Sequence, residues 1–338
     1  MAKEVGKNKS NVFLLIISLA IFFVVGLLLA QLFRQPAKIS TTSDFSEVKT
    51  LPDGTKYIVH PSELLSGGPP KGGIGFDRGI AALLNPRFTS AEEASWLSDD
   101  DMVLGLDYNG AVKAYPFRIL NWHEIANDDA NGEPVIVTYC PLCRTGIAFK
   151  RTINGEVYNF GTSGKLWNAN LVMYDDKTDT YWSQVIAQAI IGPLAGTKLE
   201  PIHLEAVKWG DWKRIHSNTL VLSRDTGIRR NYDVDPYEDF AKSDFVGFGV
   251  DFKDTRLGSK EIVYGVVINN VTKAYPENSV KEKLTIEDEV DGNKIRVAWD
   301  SEINGVRIFD ESGERIPSFG VYWFSWLAAH PDTELYQE

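Results

Sequence analysis

The sequence is short of cysteine. Cys140 and Cys143 are the only two among 338 residues, and methionine stops at three. Two thiols exclude a disulfide-stapled framework, and with 43% hydrophobic residues the chain fills a core without one. They also exclude a four-thiolate metal site within one chain. Positive charge is short as well. Thirty-five Lys and Arg against 46 Asp and Glu leave −11, which argues against binding nucleic acid or an anionic membrane surface. There is no dinucleotide fingerprint and no Ser-His-Asp order signal. Gly161-Thr-Ser-Gly164-Lys165 lacks the spacing of a phosphate loop and reads as a loop over the site instead. Asp225, Asp233 and Asp235 lack the spacing and the glycine of a calcium loop. No cysteine stands at the end of the N-terminal apolar run, which argues against a diacylglyceryl anchor there.

That apolar run is the first positive feature. Val12 to Ala30 contains only Ser18 as a polar interruption and is long enough to cross a bilayer as a helix. Lys3, Lys7 and Lys9 precede it, so the short N-terminus is expected in the cytoplasm and everything after Arg34 outside. A cleaved signal peptide would have a shorter apolar core, about 7–15 residues, and a small-x-small site, which Leu28-Leu29-Ala30-Gln31 matches poorly. The expected organisation is a cytoplasmic tail (1–11), a transmembrane anchor (12–33), a polar tether (34–50), a first β-rich lobe with the cysteines (51–235) and a second, shortened lobe without them (236–338). Residues 1–36 carry +3, so the exported part carries −14.

A repeat organises the two lobes. Lys-Ala-Tyr-Pro stands at 113–116 and again at 273–276, an offset of 160 that also aligns 131–140 with 291–300. Trp212, His216 and Thr219 match Trp326, His330 and Thr333 at an offset of 114, so the second copy has lost 46 residues on the way. Strand-like runs flank Asn109-Gly110 and Asn269-Asn270, and further hairpins turn at Asn154-Gly155 and through 175–179. Short helices are expected over 119–128, 209–216 and the last turn near Phe324. The expected fold is α+β and β-rich: two related lobes packed face to face, preceded by one N-terminal transmembrane helix.

The chemistry is expected at Cys140-Pro-Leu-Cys143, which ends the β-branched run Pro134–Tyr139. No amphipathic helix follows, so a thioredoxin fold is rejected; strand, knuckle and strand remain. Cys140 and Cys143 can cycle as a redox dithiol, hold copper or zinc, or close a structural disulfide. His123 is the candidate proton acceptor in the first reading and the third ligand in the second. Tyr139, Arg144, Trp182 and Gln184 are the candidate pocket residues. Glu124 reads as a solvated or helix-turn residue, and Met173 as core. The expected partners are the membrane, through the N-terminal helix, and a redox partner protein; no nucleic acid is expected. In the second copy Asp300 replaces Cys140 and Lys283 replaces His123, so scaffold and site are separable.

Several blocks occur in order: PVIVTYCPLC, WHEIAND before it, and then GKLWNANLVMYD, YWSQ, GPLAGTKLE, WKRIHSNTLVLSRDTG and DPYEDF. Together they resemble the family of uncharacterised proteins called DUF3179, over roughly residues 60–338. Some relatives in that family carry selenocysteine at a motif cysteine, so the resemblance implies redox or metal chemistry rather than a structural thiol. Where relatives often have a small residue after the second motif cysteine, this chain has Arg144.

Overall fold

Turn chemistry sets the local structure. Asn109 and Gly110 both take positive φ, 51° and 72°, as a type I′ turn requires. They join Met102–Tyr108 to Ala111–Pro116, with Val103 opposite Pro116. Asn269 and Asn270 do the same, at 48° and 71°, between Ile262–Ile268 and Val271–Pro276, with Val263 opposite Pro276. Each hairpin runs into a helix of 7 residues, Phe117–His123 or Glu277–Lys283. A three-strand meander follows each: Ile125–Ala130, Glu133–Cys140 and Thr145–Lys150 in the first copy, Thr285–Val290, Asn293–Asp300 and Gly305–Asp310 in the second.

The structure, a computed structural model, describes residues 45–73 and 79–337. The expected 12–33 anchor, the 1–11 tail and the first part of the tether lie outside them. Among the described residues no helix is long and apolar enough to cross a membrane.

The copies share unusual packing. An added Cβ on Gly105 would come within 2.4 Å of the Trp212 indole, and one on Gly265 within 2.2 Å of Trp326. Each indole N–H then donates to a threonine hydroxyl at 2.9 Å, Thr219 or Thr333. Glycine is needed here for close approach, since neither position has a positive φ. Gly265→Ala is therefore expected to cost about 1–3 kcal/mol or more, because the rigid ring must move. Urea unfolding measures it; an unchanged midpoint would contradict this packing.

The expected α+β pair of lobes is corrected. The described residues, 45–73 and 79–337, belong to one compact unit. Its described residues build sheets of seven, five, five, four and three strands and a two-stranded ribbon, in a propeller-like arrangement. The α-helices among the described residues are only 5–7 residues long, too short to cover a sheet face as an α+β layer would. Both copies instead feed one core cluster, in which Cys140, Phe149 and Trp182 pack with Val263, Trp323 and Trp326.

Two local expectations also change. The helix expected over 119–128 stops at His123. Glu124 turns the chain with φ 57°, and Ile125–Ala130 pairs with Glu133–Cys140 as a strand. Gly161–Lys165 is not a loop but lies within the strand Phe160–Trp167, with a bulge between Thr162 and Lys165. That strand, with Asn170–Asp175, Tyr181–Ser183 and Gln188–Ile191, forms the middle of the seven-stranded sheet. This is the stretch the second copy lacks.

Candidate functional site

Cys140 ends the strand Glu133–Cys140 and pairs with Thr145, the first residue of the next strand. Four residues separate the paired ends, and Arg144 closes that turn with φ 56°. Both thiols are free and buried. The Cys143 sulfur faces its own turn, 3.7 Å from the Cys140 carbonyl oxygen, while the Cys140 sulfur lies 4.0 Å from the Ala169 carbonyl.

Two amides from the seven-stranded sheet fix the polarity of this site. Asn170 Nδ2 donates to Cys143 Sγ at 3.0 Å and to Gln184 Oε1 at 3.2 Å. Its Oδ1 accepts from the Val185 amide at 3.2 Å, so the side chain cannot flip without losing partners. Gln184 Nε2 in turn donates to Thr138 Oγ1 at 2.9 Å and to the Thr145 carbonyl at 3.1 Å. A sulfur held as an acceptor is stabilised as thiolate. Burial pushes the Cys143 thiol up, but hydrogen bonds from Cys140, Thr145, Asn170 and Ser325 outweigh it, and its pKa falls below the ordinary thiol value. The Ser325 hydroxyl is buried and otherwise without a partner. Cys140 goes the other way: burial, then its hydrogen bond to Cys143, hold it well above the ordinary value. The pair is thus divided into a thiolate-prone Cys143 and a proton-bearing Cys140.

Glu124 is the neighbouring acid. Burial raises its carboxyl to about 8, a hydrogen bond from Tyr237 (3.4 Å) opposes this, and the Cys143 charge adds to the rise. Its backbone carbonyl accepts from the Tyr139 amide, which ties it to the strand carrying Cys140. Burial raises Tyr237 too, and the nearby Glu124 and Cys140 charges raise it further. Tyr237 belongs to the segment joining the two copies. Farther along it, Phe240, Phe248 and Phe252 pack against Ala169, Tyr322 and Phe324. The Tyr322 amide donates to the Cys143 carbonyl at 3.0 Å. The joining segment is therefore a strap across the residues that neighbour the dithiol.

The expected site residues divide. Cys140, Cys143 and Gln184 come together. His123 does not serve as expected: Nδ1 lies 2.7 Å from the Ala81 carbonyl and Nε2 2.7 Å from the Tyr232 hydroxyl. Burial lowers its pKa to about 4, so it is a neutral pin between two segments. The copper or zinc alternative does not fit. Both His123 nitrogens are engaged, and no group of three His, Cys, Asp or Glu suited to a metal forms among the described residues. Tyr139 is core, packed on Phe117 at 4.3 Å between centroids. Trp182 is core as well, fully buried, edge-on to Phe160 and donating to Asp175 at 2.9 Å. Arg144 is half-buried at the turn, with no hydrogen bond or ion pair among the described residues.

Sequence reasoning missed Asn170, Ser325 and Tyr237, and it left Glu124 in solvent. One signal for Glu124 was present: its counterpart at the same offset is Leu284, which has the same positive φ, 63°. A carboxylate where the thiol-free copy has leucine marks a position with a task. Where the first copy has the dithiol, the second has an ion-pair network: Asp300 pairs with Arg307, and Arg307 and Arg315 reach Glu205 at 2.8 and 3.0 Å. No curated protein and no solved structure matches the chain. A family profile described as "Protein of unknown function (DUF3179)" matches residues 77–333, well over half of the chain, and the chain belongs to that family.

Proposed function

We propose that Cys140 and Cys143 form a redox dithiol that exchanges with a disulfide, with Cys143 attacking, Cys140 resolving and Glu124 handling the proton. The observation that carries this reading is the Asn170 amide, locked in orientation and donating to the Cys143 sulfur at 3.0 Å. A structural thiol needs no such donor.

The steps balance as ordinary thiol–disulfide exchange. The Cys143 thiolate attacks one sulfur of a partner disulfide, forming a mixed disulfide and releasing the partner's first thiolate. The Glu124 carboxyl, protonated at neutral pH, gives its proton to that departing thiolate; as carboxylate it then takes the Cys140 proton, and Cys140 attacks Cys143 Sγ, releasing the second partner thiolate and leaving the Cys140–Cys143 disulfide. The partner is reduced by two electrons and the dithiol oxidised by two. A carboxyl near 8 suits the exchange, since it gives and takes protons close to neutral pH. Because both sulfurs are buried, the partner reaches them only when the 237–252 strap moves aside. In this reading the 12–33 segment anchors the protein to a membrane, and the dithiol works outside it with a redox partner protein.

Equilibrating the full-length protein in glutathione buffers and counting thiols tests the proposal. A potential between about −120 and −270 mV is expected, the span of thiol oxidoreductases. A disulfide that never forms, or one more reducing than about −300 mV, would sink it.

Glu124 also sets a pH dependence. Its carboxyl is near 8 folded and about 4.3 unfolded, so the folded state holds the extra proton between those values. Stability from this group is greatest below pH 4, falls by roughly 1.4 kcal/mol per pH unit up to about 8, and is level above. Glu124→Gln removes the titration. It is expected to match the wild type at pH 4 and to be more stable at pH 9, while slowing the resolving step about 100-fold. Urea titrations at both pH values would show parallel behaviour if Glu124 were solvated.

A further inference from the structure

Away from the dithiol the fold forms a pocket, open to solvent on one side, of about 880 Å³. This is within the range of small-molecule sites, about 300–1,000 Å³. Its wall is mostly apolar and draws on both copies: Ile147, Phe149 and Leu199 face it from the first, Val267, Phe319 and Trp326 from the second. The lining holds one buried unsatisfied polar atom and one cation without a protein partner among the described residues. His330, 8% exposed and packed at a tilt against Trp326 with ring centroids 4.2 Å apart, has a buried Nε2 with no hydrogen-bond partner among the described residues. The exposed Lys198 ammonium has neither a hydrogen bond nor an ion pair among the described residues. The other buried amide there, Gln188, is already committed to the Phe45 and Gly196 carbonyls.

Charge decides the kind of ligand. The chain has 46 Asp and Glu, yet among the described residues none lines this pocket, and the one charged residue described in its lining is Lys198. Burial keeps His330 neutral, with a pKa near 4, so its ring offers a hydrogen bond rather than a second charge. We propose that the cavity is a binding site for an apolar carboxylate, an anionic amphiphile of fatty-acid type. Its chain lies against the aliphatic and aromatic wall, and its oxygens supply the partners that Lys198 and His330 Nε2 lack. The site is independent of the thiol chemistry, since neither cysteine lines it.

The test is calorimetric titration of the full-length protein in lipid nanodiscs, with empty nanodiscs subtracted to remove partitioning. The probes are decanoate, 1-decanol and decylammonium. Saturable binding near one decanoate per chain is expected, at least tenfold tighter than 1-decanol, with decylammonium weakest. Lys198→Met is expected to erase the preference for decanoate over 1-decanol. Leu199→Trp, which fills the cavity, is expected to abolish binding. Should that variant fail to fold, His330→Phe keeps a ring against Trp326 and is expected to weaken both decanoate and 1-decanol about tenfold. Absence of saturable heat above empty nanodiscs overturns the proposal. So does binding that ignores probe charge, or that persists unchanged in the folded variants.

Discussion

Cys143→Ser is expected to lose all exchange with a disulfide substrate, while Cys140→Ser keeps the first step and accumulates a mixed disulfide. The asymmetry comes from the site. Asn170, Thr145 and Ser325 all favour the thiolate at Cys143, whereas burial keeps the proton on Cys140. A serine at 143 offers no nucleophile at neutral pH. A serine at 140 leaves the nucleophile intact but cannot resolve the bond it makes. Incubation with a chromogenic aromatic disulfide, followed by intact mass measurement, distinguishes the two variants: no adduct for Cys143→Ser, a stable adduct of one substrate half for Cys140→Ser. The reverse pattern would exchange the roles of the sulfurs. Adducts on neither variant would remove the attacking thiolate altogether. Because both sulfurs are buried, adduct formation should also speed up in mild denaturant before global unfolding begins.

Trp182→Ala is expected to be the most damaging change for stability. The side chain is fully buried beside Phe160 and its indole N–H donates to Asp175 at 2.9 Å. Removing it leaves a cavity and loses a charge-assisted hydrogen bond, together about 3–5 kcal/mol. At roughly 2–4 °C per kcal/mol for a domain of this size class, Tm should fall by at least about 6 °C. Trp182→Phe keeps most of the packing and should fall less. A Trp182→Ala variant with an unchanged Tm and altered substrate preference would make this residue a pocket wall after all.

Much of the architecture was legible in the sequence because it rests on local turn chemistry. Asn109-Gly110 and Asn269-Asn270 mark their turns by residue type, and the strands on each side follow. The strand–knuckle–strand setting of the cysteines was legible for the same reason. What was not legible depends on contacts between distant segments. Asn170 reaches Cys143 from 27 residues away, and Tyr237 reaches Glu124 from 113. His123 misled because a histidine near a dithiol invites a catalytic role, whereas Ala81 and Tyr232 occupy both its nitrogens. The layer arrangement was misread for a related reason. A duplicated sequence suggests two lobes, but nothing local to either copy reports that Val263 and Trp326 pack into the same core as Cys140.

The stretch that the second copy lacks behaves as a cassette. It carries Asn170 and Gln184, the two amides that polarise the thiol turn, and the copy without it has Asp300 and Ile303 where the cysteines would stand. Within this chain the dithiol and its supporting amides therefore occur together in one copy and are absent together from the other. Transplanting Cys-Pro-Leu-Cys alone onto the second meander should yield two inert apolar side chains, because a free buried cysteine without polar partners behaves as a small hydrophobe.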